Sequence, residues 1–292
     1  MPELPEVEVT RRGIAPLLEK RTIAAVHTTA SSYFFLTPPR ILRKRLRGRR
    51  VLALTRHGKY LRASLDSGET LVLHLGMTGQ LFAAGATSVR LLSARARAAL
   101  EPEEQPAFRP DLHTHLRLSF RDGGPEVVFR DVRKFGKVLL LAPGGTDPRV
   151  EKLGVDALAA TGEELFAAAR RRRIPIKTLL LDQSVLAGIG NIYADEGLFL
   201  AGVRPTRPSR RVSRARCRAV AAACRRVMLR SIETGGSSIS DYVSPSGSDG
   251  AYQDERRVYA RTGRLCRNGC GARIRRVVLG QRATHYCPKC QT

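Results

Sequence analysis

The hydrophobic pattern of this 292-residue chain changes period at Pro143-Gly144-Gly145, so the two sides of that point belong to different layers. Before it the chain runs in short β-type segments: Val51–Thr55, Tyr60–Leu65, Thr70–Leu75, His115–Phe120, Glu126–Phe129 and Lys137–Leu141, parted by Gly, Asp and Pro. Many short strands with turn residues between them predict a sandwich or barrel. A helix over residues 5–20, with Val7, Ile14, Leu17 and Leu18 near one face, leads into it. After the break the pattern is helical, with helices expected at Glu163–Arg173, Ile176–Asp182, Asn191–Ala201 and Ser213–Thr234. The last stops at Gly235-Gly236, a C-cap signal. Residues 83–112 interrupt the strand rhythm with an Ala/Arg-rich stretch and a charged, Pro-containing run, read as an inserted loop or short helix. Residues 237–263 are rich in Ser, Gly and Asp. No internal repeat is visible.

The C-terminal end is constrained by chemistry rather than periodicity. Cys266-x3-Cys270 and Cys287-x2-Cys290 are separated by sixteen residues. Two short Cys pairs across such a span match a tetrahedral four-cysteine zinc site, and closed four-sulfur coordination makes that metal structural. Between the pairs, Ile274–Tyr286 reads as a β-hairpin turning at Gly280-Gln281, with Arg282 near its tip, where it can reach a phosphate or remain a solvated Arg. Cys217 and Cys224 lie seven apart on a helix and share a buried face.

The formal charge is +25, from 51 basic and 26 acidic residues. A polyanion is the natural partner for such an excess, DNA or RNA first. Only eight of the basic residues are Lys, and the chain is rich in Ala and Gly, so a GC-rich genome explains part of the Arg usage. It does not explain the net charge. Where Arg is the default, Lys59 and Lys177 stand out, because a compact ammonium differs from a planar fork. No apolar run reaches the length of a membrane span and no secretory signal opens the chain, so a cytoplasmic protein is expected.

The chain opens Met1-Pro2-Glu3-Leu4-Pro5-Glu6-Val7. Removal of Met1 would leave Pro2 as a free secondary amine beside a carboxylate, able to form an imine with an electrophilic carbon. The competing reading is a helix start, with proline and acids in the first turn. Pro5 and Glu6 fit that reading, whereas Pro2 and Glu3 lie outside the helix. Farther on, Leu186-Ala187-Gly188-Ile189-Gly190-Asn191-Ile192-Tyr193 joins two helices. Small residues there let a phosphate approach the helix start, or simply allow a tight turn. Asn191 caps the helix or donates to the phosphate.

Six segments then occur in order: Pro2-Glu3-Leu4-Pro5-Glu6-Val7-Glu8, His57-Gly58-Lys59-Tyr60, His74-Leu75-Gly76-Met77-Thr78-Gly79, Asp131-Val132-Arg133-Lys134-Phe135-Gly136, Gly188-Ile189-Gly190-Asn191-Ile192-Tyr193-Ala194-Asp195-Glu196 and the two Cys pairs. Together they resemble the bacterial formamidopyrimidine-DNA glycosylases of the Fpg/Nei base-excision repair family, over nearly the whole chain. The resemblance implies an α+β multidomain fold. Residues 1–143 would form a catalytic β-sandwich with a leading helix, 144–236 a helix–two-turns–helix DNA-binding domain, and 237–292 a lesion-capping loop with the four-cysteine zinc finger. DNA would bind in the cleft between the two halves.

The implied activity is excision of oxidised purines, 8-oxoguanine and formamidopyrimidines, followed by β,δ-elimination at the abasic site. By the same resemblance Pro2 is the nucleophile, Glu3 the general acid and Lys59 a phosphate contact that assists catalysis. Met77, Arg133 and Phe135 form the wedge that replaces the flipped nucleotide. Lys177, Asn191 and Arg282 bind phosphate, and Glu6 shapes the base pocket. Residues 237–255 close over the everted base. The physics is consistent: an enzyme must flip a base to reach its glycosidic bond, and Met or Phe can offset lost stacking. For Met77 and Phe135 the alternative is ordinary core packing. Glu3 needs a raised pKa to serve as an acid. One structural Zn2+, a double-stranded DNA partner and a monomer are expected.

Three departures stand against the family pattern: the x3 spacing of the first Cys pair, the long 83–112 stretch, and Val132 where Pro is common. The other readings are a Nei-type enzyme for oxidised pyrimidines, a non-catalytic DNA-binding homologue, and a basic zinc-bearing RNA binder.

Overall fold

The computed structural model describes residues 2–86, 108, 110–238 and 242–292. They divide into two compact units: residues up to Pro148 with Thr234–Ala251, and Arg149–Glu233 with Tyr252–Thr292.

The first unit opens with α1 (Leu4–Leu18), followed by β1 (Ile23–Thr28) and α2 (Pro39–Leu46). The strands β2 (Val51–His57), β3 (Tyr60–Leu65), β4 (Thr70–His74) and β5 (Gly79–Ala83) come next. After the inserted stretch follow β6 (Thr114–Phe120), β7 (Val127–Asp131) and β8 (Lys137–Leu141). The strands form two four-stranded antiparallel sheets, β1-β6-β7-β5 and β2-β3-β4-β8. Their inward side chains share one core: Val26, Leu81, Leu118 and Phe129 from one sheet, Leu54, Leu61, Leu71 and Val138 from the other, with Val7, Ile14 and Leu18 of α1. This is a β-sandwich with a helix packed into it, as expected. Strands β3 and β8 fall where the alternation puts them. Strands β1 and β5 and helix α2 carry weaker patterns: β1 has two Ala among six residues, and β5 begins on Gly. Of residues 83–112, the expected loop or helix at 87–107 and Arg109 lie outside the described residues.

The second unit is helical. It contains α3 (Pro148–Glu151, its first residue at the boundary), β9 (Val155–Asp156), α4 (Glu163–Arg170), α5 (Ile176–Leu180), β10 (Leu186–Ala187), α6 (Asn191–Leu200), α7 (Arg214–Glu233) and α8 (Tyr252–Glu255). The hairpin β11 (Arg275–Leu279) and β12 (Arg282–Tyr286) ends it. Helix α6 is buried from Ile192 to Phe199 and lies tight on α7. A Cβ at Gly197 would stand 2.3 Å from the Cys224 sulfur, so only glycine permits that approach. Cys217 and Cys224 are both buried, and burial pushes their thiols up to about 11 and about 12, which leaves them inert.

Candidate functional site

The start of α1 gathers the first group of expected residues. Pro2, Glu3 and Glu6 are all buried, Glu3 at 2% and Glu6 at 1% exposure. Glu3 is the N-cap and Glu6 the third helical residue, and the two form a reciprocal capping box. The Glu3 backbone N–H donates to Glu6 Oε2 at 2.8 Å. The other oxygen, Oε1, accepts the Ser237 N–H at 2.9 Å. One carboxylate thus ties the N-terminus to the segment 234–251 within the same unit. Tyr242 of that segment is buried, and burial together with the Glu6 charge raises its hydroxyl pKa. Among the described residues the buried Ser237 hydroxyl has no hydrogen-bond partner. The helix start thus includes Glu3 as well as Glu6, and both acids lie at the N-terminus of α1.

Lys59 is placed by a chain of polar contacts. It sits in the two-residue turn between β2 and β3, where Gly58 adopts φ +56°. Arg56 reaches from β2 to Glu8 of α1 at 3.1 Å and donates to Gly58 O at 2.9 Å. Glu8 also pairs with Arg11 and Arg12, both at 2.9 Å. Burial alone would raise the Glu8 pKa, but these three guanidinium groups hold it at about 2. Lys59 is only 8% exposed. His74, opposite Tyr60 in the sheet, is pushed down to about 4 by burial and then by the charges of Lys59 and Lys137. Its Nδ1 accepts the Gly76 N–H at 3.2 Å, as a neutral ring allows.

Met77, Arg133 and Phe135 occupy two turns that carry the chain between sheets, β4 to β5 and β7 to β8. The turns touch. A Cβ at Gly76 would meet the Phe135 carbonyl carbon at 2.4 Å, and Gly76 has φ +62°. Asp131, fully buried, anchors both turns. Its Oδ1 accepts from Thr78 Oγ1 at 2.5 Å and from Arg133 N at 3.2 Å, and Oδ2 accepts from Gly136 N at 2.6 Å. Met77 and Phe135 are 36% and 39% exposed, so the core-packing alternative fails for both. The Arg133 guanidinium lies 4.5 Å over the Phe135 ring.

In the second unit, Asn191 and Lys177 converge on the zinc-finger hairpin. Asn191 Nδ2 and Lys177 Nζ both donate to Ala283 O, at 3.0 and 2.9 Å. Lys177 also donates to Thr284 Oγ1 at 2.9 Å and pairs with Asp195 Oδ1 at 2.8 Å. Asp195 Oδ2 accepts the backbone N–H of His285 at 2.8 Å and lies 3.1 Å from its ring Nδ1. Lys177 is expected to contact phosphate, and the structure places it among these partners. Its side chain is 1% exposed and holds the hairpin from inside. Arg282, beside Ala283, is exposed at the start of β12 after the Gly280-Gln281 turn, whose residues have φ +52° and +63°.

The four cysteine sulfurs lie within 4.8 Å of one another. Cys266 and Cys290 are 3.8 Å apart and Cys270 and Cys287 3.5 Å apart, too long for disulfides. A tetrahedron with Zn–S of about 2.3 Å has edges of about 3.8 Å, so the donors fit zinc. The additional residue of the first pair is absorbed by Gly269 at φ +72°. Gln291, fully buried, accepts the Cys287 N–H and donates to Val203 O, which fastens the second knuckle.

Three family models match the chain: the formamidopyrimidine-DNA glycosylase N-terminal domain at residues 1–138, the H2TH domain of the same enzymes at 145–243, and the zinc finger found in FPG and IleRS at 265–292. The chain belongs to the formamidopyrimidine-DNA glycosylase family. It is 39% identical to the enzyme of Cereibacter sphaeroides over 296 residues and 40% identical to that of Methylococcus capsulatus over 294, with 100% of each chain covered. Among solved structures it is similar to MutM (Fpg) of Thermus thermophilus, with a TM-score of 0.81 and 34% identity over 99% of this chain and 98% of that one. It is also similar to Lactococcus lactis Fpg in complex with DNA containing an abasic site, with a TM-score of 0.82 and 30% identity over 99% of both.

The four-cysteine cluster is the structural zinc site of this family, able to hold one ion in closed coordination. Several supporting residues escaped the sequence reading. Asp131 and Asp195 lie inside the motifs without a role legible from sequence, and Glu196, next to Asp195, accepts the N–H groups of Arg257, Val258 and Tyr259, each at 2.8 Å. Burial pushes the Glu196 carboxyl up, against three donors that favour its ionised form. A run of two adjacent acids in an otherwise apolar helix was the available signal. Ser237 and Tyr242 gave none, because only the fold brings them to α1.

Proposed function

We propose that this chain excises oxidised purines from duplex DNA and then cleaves the strand at the abasic site. What carries the reading is the convergence of Pro2, Glu3 and Glu6 at the buried start of α1, in a chain related along its whole length to formamidopyrimidine-DNA glycosylases. With Met1 removed, the Pro2 amine attacks C1′ of the damaged nucleotide. The C1′–N bond breaks and the base leaves with a proton. Glu3 in its acid form protonates the sugar ring oxygen as the ring opens, giving an iminium between Pro2 and C1′. Loss of a C2′ proton expels the 3′ phosphate, a second elimination expels the 5′ phosphate, and water releases Pro2. Lys59 supplies a cation for the phosphate near the reacting sugar.

Met77 and Phe135 fill the gap left by the flipped nucleotide, and Arg133 offers donors to the orphaned cytosine. Asn191 and Arg282 address phosphate, with Lys177 positioning both through Ala283. Glu6 and the segment 237–255 face the everted base; of that segment, residues 239–241 lie outside the described residues. Residues 1–143 serve catalysis, 144–236 DNA binding, and 237–292 lesion capping and the zinc finger. The enzyme acts as a monomer in the cytoplasm, on the nucleoid; among the described residues no helix is long and apolar enough to cross a membrane.

Borohydride reduction during reaction with an 8-oxoguanine duplex tests the reading. A covalent adduct should form, with mass spectrometry placing the DNA remnant on Pro2. An N-terminal extension should abolish it while DNA binding persists, and Glu3→Gln should slow excision by about 100-fold or more. A fully active extended protein would refute the Pro2 assignment, and faster excision of thymine glycol would refute the purine assignment.

A further inference from the structure

The sheet β1-β6-β7-β5 has an outer face that a sandwich would ordinarily leave to water. Side chains alternate along a strand, so Leu81, Val127 and Phe129 point into the core while Phe82 and Val128 point out. Phe82 and Val128 are cross-strand partners, and both are 0% exposed. Their cover comes from two distant pieces of chain. Phe108, from the inserted stretch, meets the Phe82 ring edge-on at 4.7 Å, and its N–H donates to Ala86 O at 3.0 Å. Val243, from the segment 234–251, completes the cluster at 3% exposure. Beside Val243, Tyr242 and Ser237 belong to the group around Glu6. On another side Pro245 lies against α1, where a Cβ at Gly13 would stand 2.8 Å from its Cγ. The segment is thus fixed by Glu6 at one point and by the Phe82–Val128–Phe108 cluster at another.

We infer that Phe108 seats the segment 234–251 through Val243, making Phe108 a positioning residue for recognition of the damaged base. The inference rests on the glycosylase reading above. Excision needs the segment in place against the everted base, whereas cleavage of a preformed abasic site presents no base for it to face. Unseating the segment therefore separates the two activities.

The test compares single-turnover excision of 8-oxoguanine with cleavage of a preformed abasic duplex by the same protein. Phe108→Ala should lower excision about tenfold and leave abasic cleavage within about twofold, because only the seated population of the segment falls. Val243→Ala should lower excision similarly, and the double variant should fall no further than either single one, since both act on the same cluster. Phe108→Leu, which keeps an apolar group in the cluster, should recover most of the excision rate. Wild-type excision by Phe108→Ala would overturn the inference, and so would a parallel loss of both activities, which would mean that the stretch merely supports the sandwich. A wild-type protein inactive on both substrates would instead overturn the glycosylase reading.

Discussion

Asp131 in the first unit and Asp195 in the second do the same job by different means. Each is fully buried, and each stands behind a turn that presents an exposed arginine, Arg133 or Arg282. Asp131 is surrounded by neutral donors from the turns it holds: the Thr78 hydroxyl and the Arg133 and Gly136 N–H groups. Asp195 takes a backbone N–H and a ring contact from His285, 90 residues away, and then requires the cation of Lys177. Dipoles already fixed by a tight turn can satisfy a carboxylate without importing charge. Asp195 meets one backbone dipole, and the rest of its charge is matched by the buried ammonium of Lys177.

The sharpest way to break this contrast is Lys177→Met. It leaves the Asp195 charge buried beside His285 and should cost about 3–5 kcal/mol, the usual penalty for orphaning one member of a buried pair. Denaturant unfolding measures the loss. DNA affinity should fall with it, because Ala283 loses a donor and the Arg282 turn loosens. Little change in stability would mean that water or His285 balances Asp195 in place of Lys177.

A smaller effect is expected from Asp131→Asn. The amide keeps one acceptor oxygen but turns an NH2 toward groups that donate, and the loss of those bonds should cost about 1–3 kcal/mol. The damage should be local: excision should drop more than the midpoint of unfolding suggests, since the Met77 and Phe135 turns share this anchor. Equal losses in stability and excision would make Asp131 a core residue rather than a support for the wedge.

The difference between the two aspartates also explains how much could be read in advance. The segments His74–Gly79 and Asp131–Gly136 are legible because their fold requirements are local. Gly76 needs a positive φ and cannot carry a Cβ against Phe135, and Asp131 bonds within its own turn. The zinc cluster is legible for a similar reason, since ligand spacing encodes its geometry. The burial of Lys177 is not legible because its partners lie 18, 106 and 107 residues along the chain, and an inward lysine looks like an outward one in sequence. The link between Glu6 and Ser237 spans 231 residues and was invisible for the same reason. Strands β1 and β5 are not legible because small residues blur a two-residue alternation. The apolar outer face at Phe82 and Val128 breaks that alternation, and its cover had no sequence signal at all.

The smallest effect separates display from support. Arg282→Ala removes an exposed side chain with no part in the Asp195 group, so stability should move by no more than about 0.5 kcal/mol. Its contact, if made to phosphate, carries no sequence information, so affinity should weaken alike for damaged and undamaged duplexes. The slope of log affinity against log salt should fall by about 1. Arg133→Ala should behave differently, with a larger loss of discrimination for the base opposite the lesion than of salt dependence, because an arginine that bonds a base edge reads identity rather than charge. An unchanged salt slope for Arg282→Ala would show that the hairpin tip does not engage the backbone. The buried Lys177–Asp195 pair would then be support for the zinc knuckle alone, and the parallel with Asp131 would end at the shape of the turn.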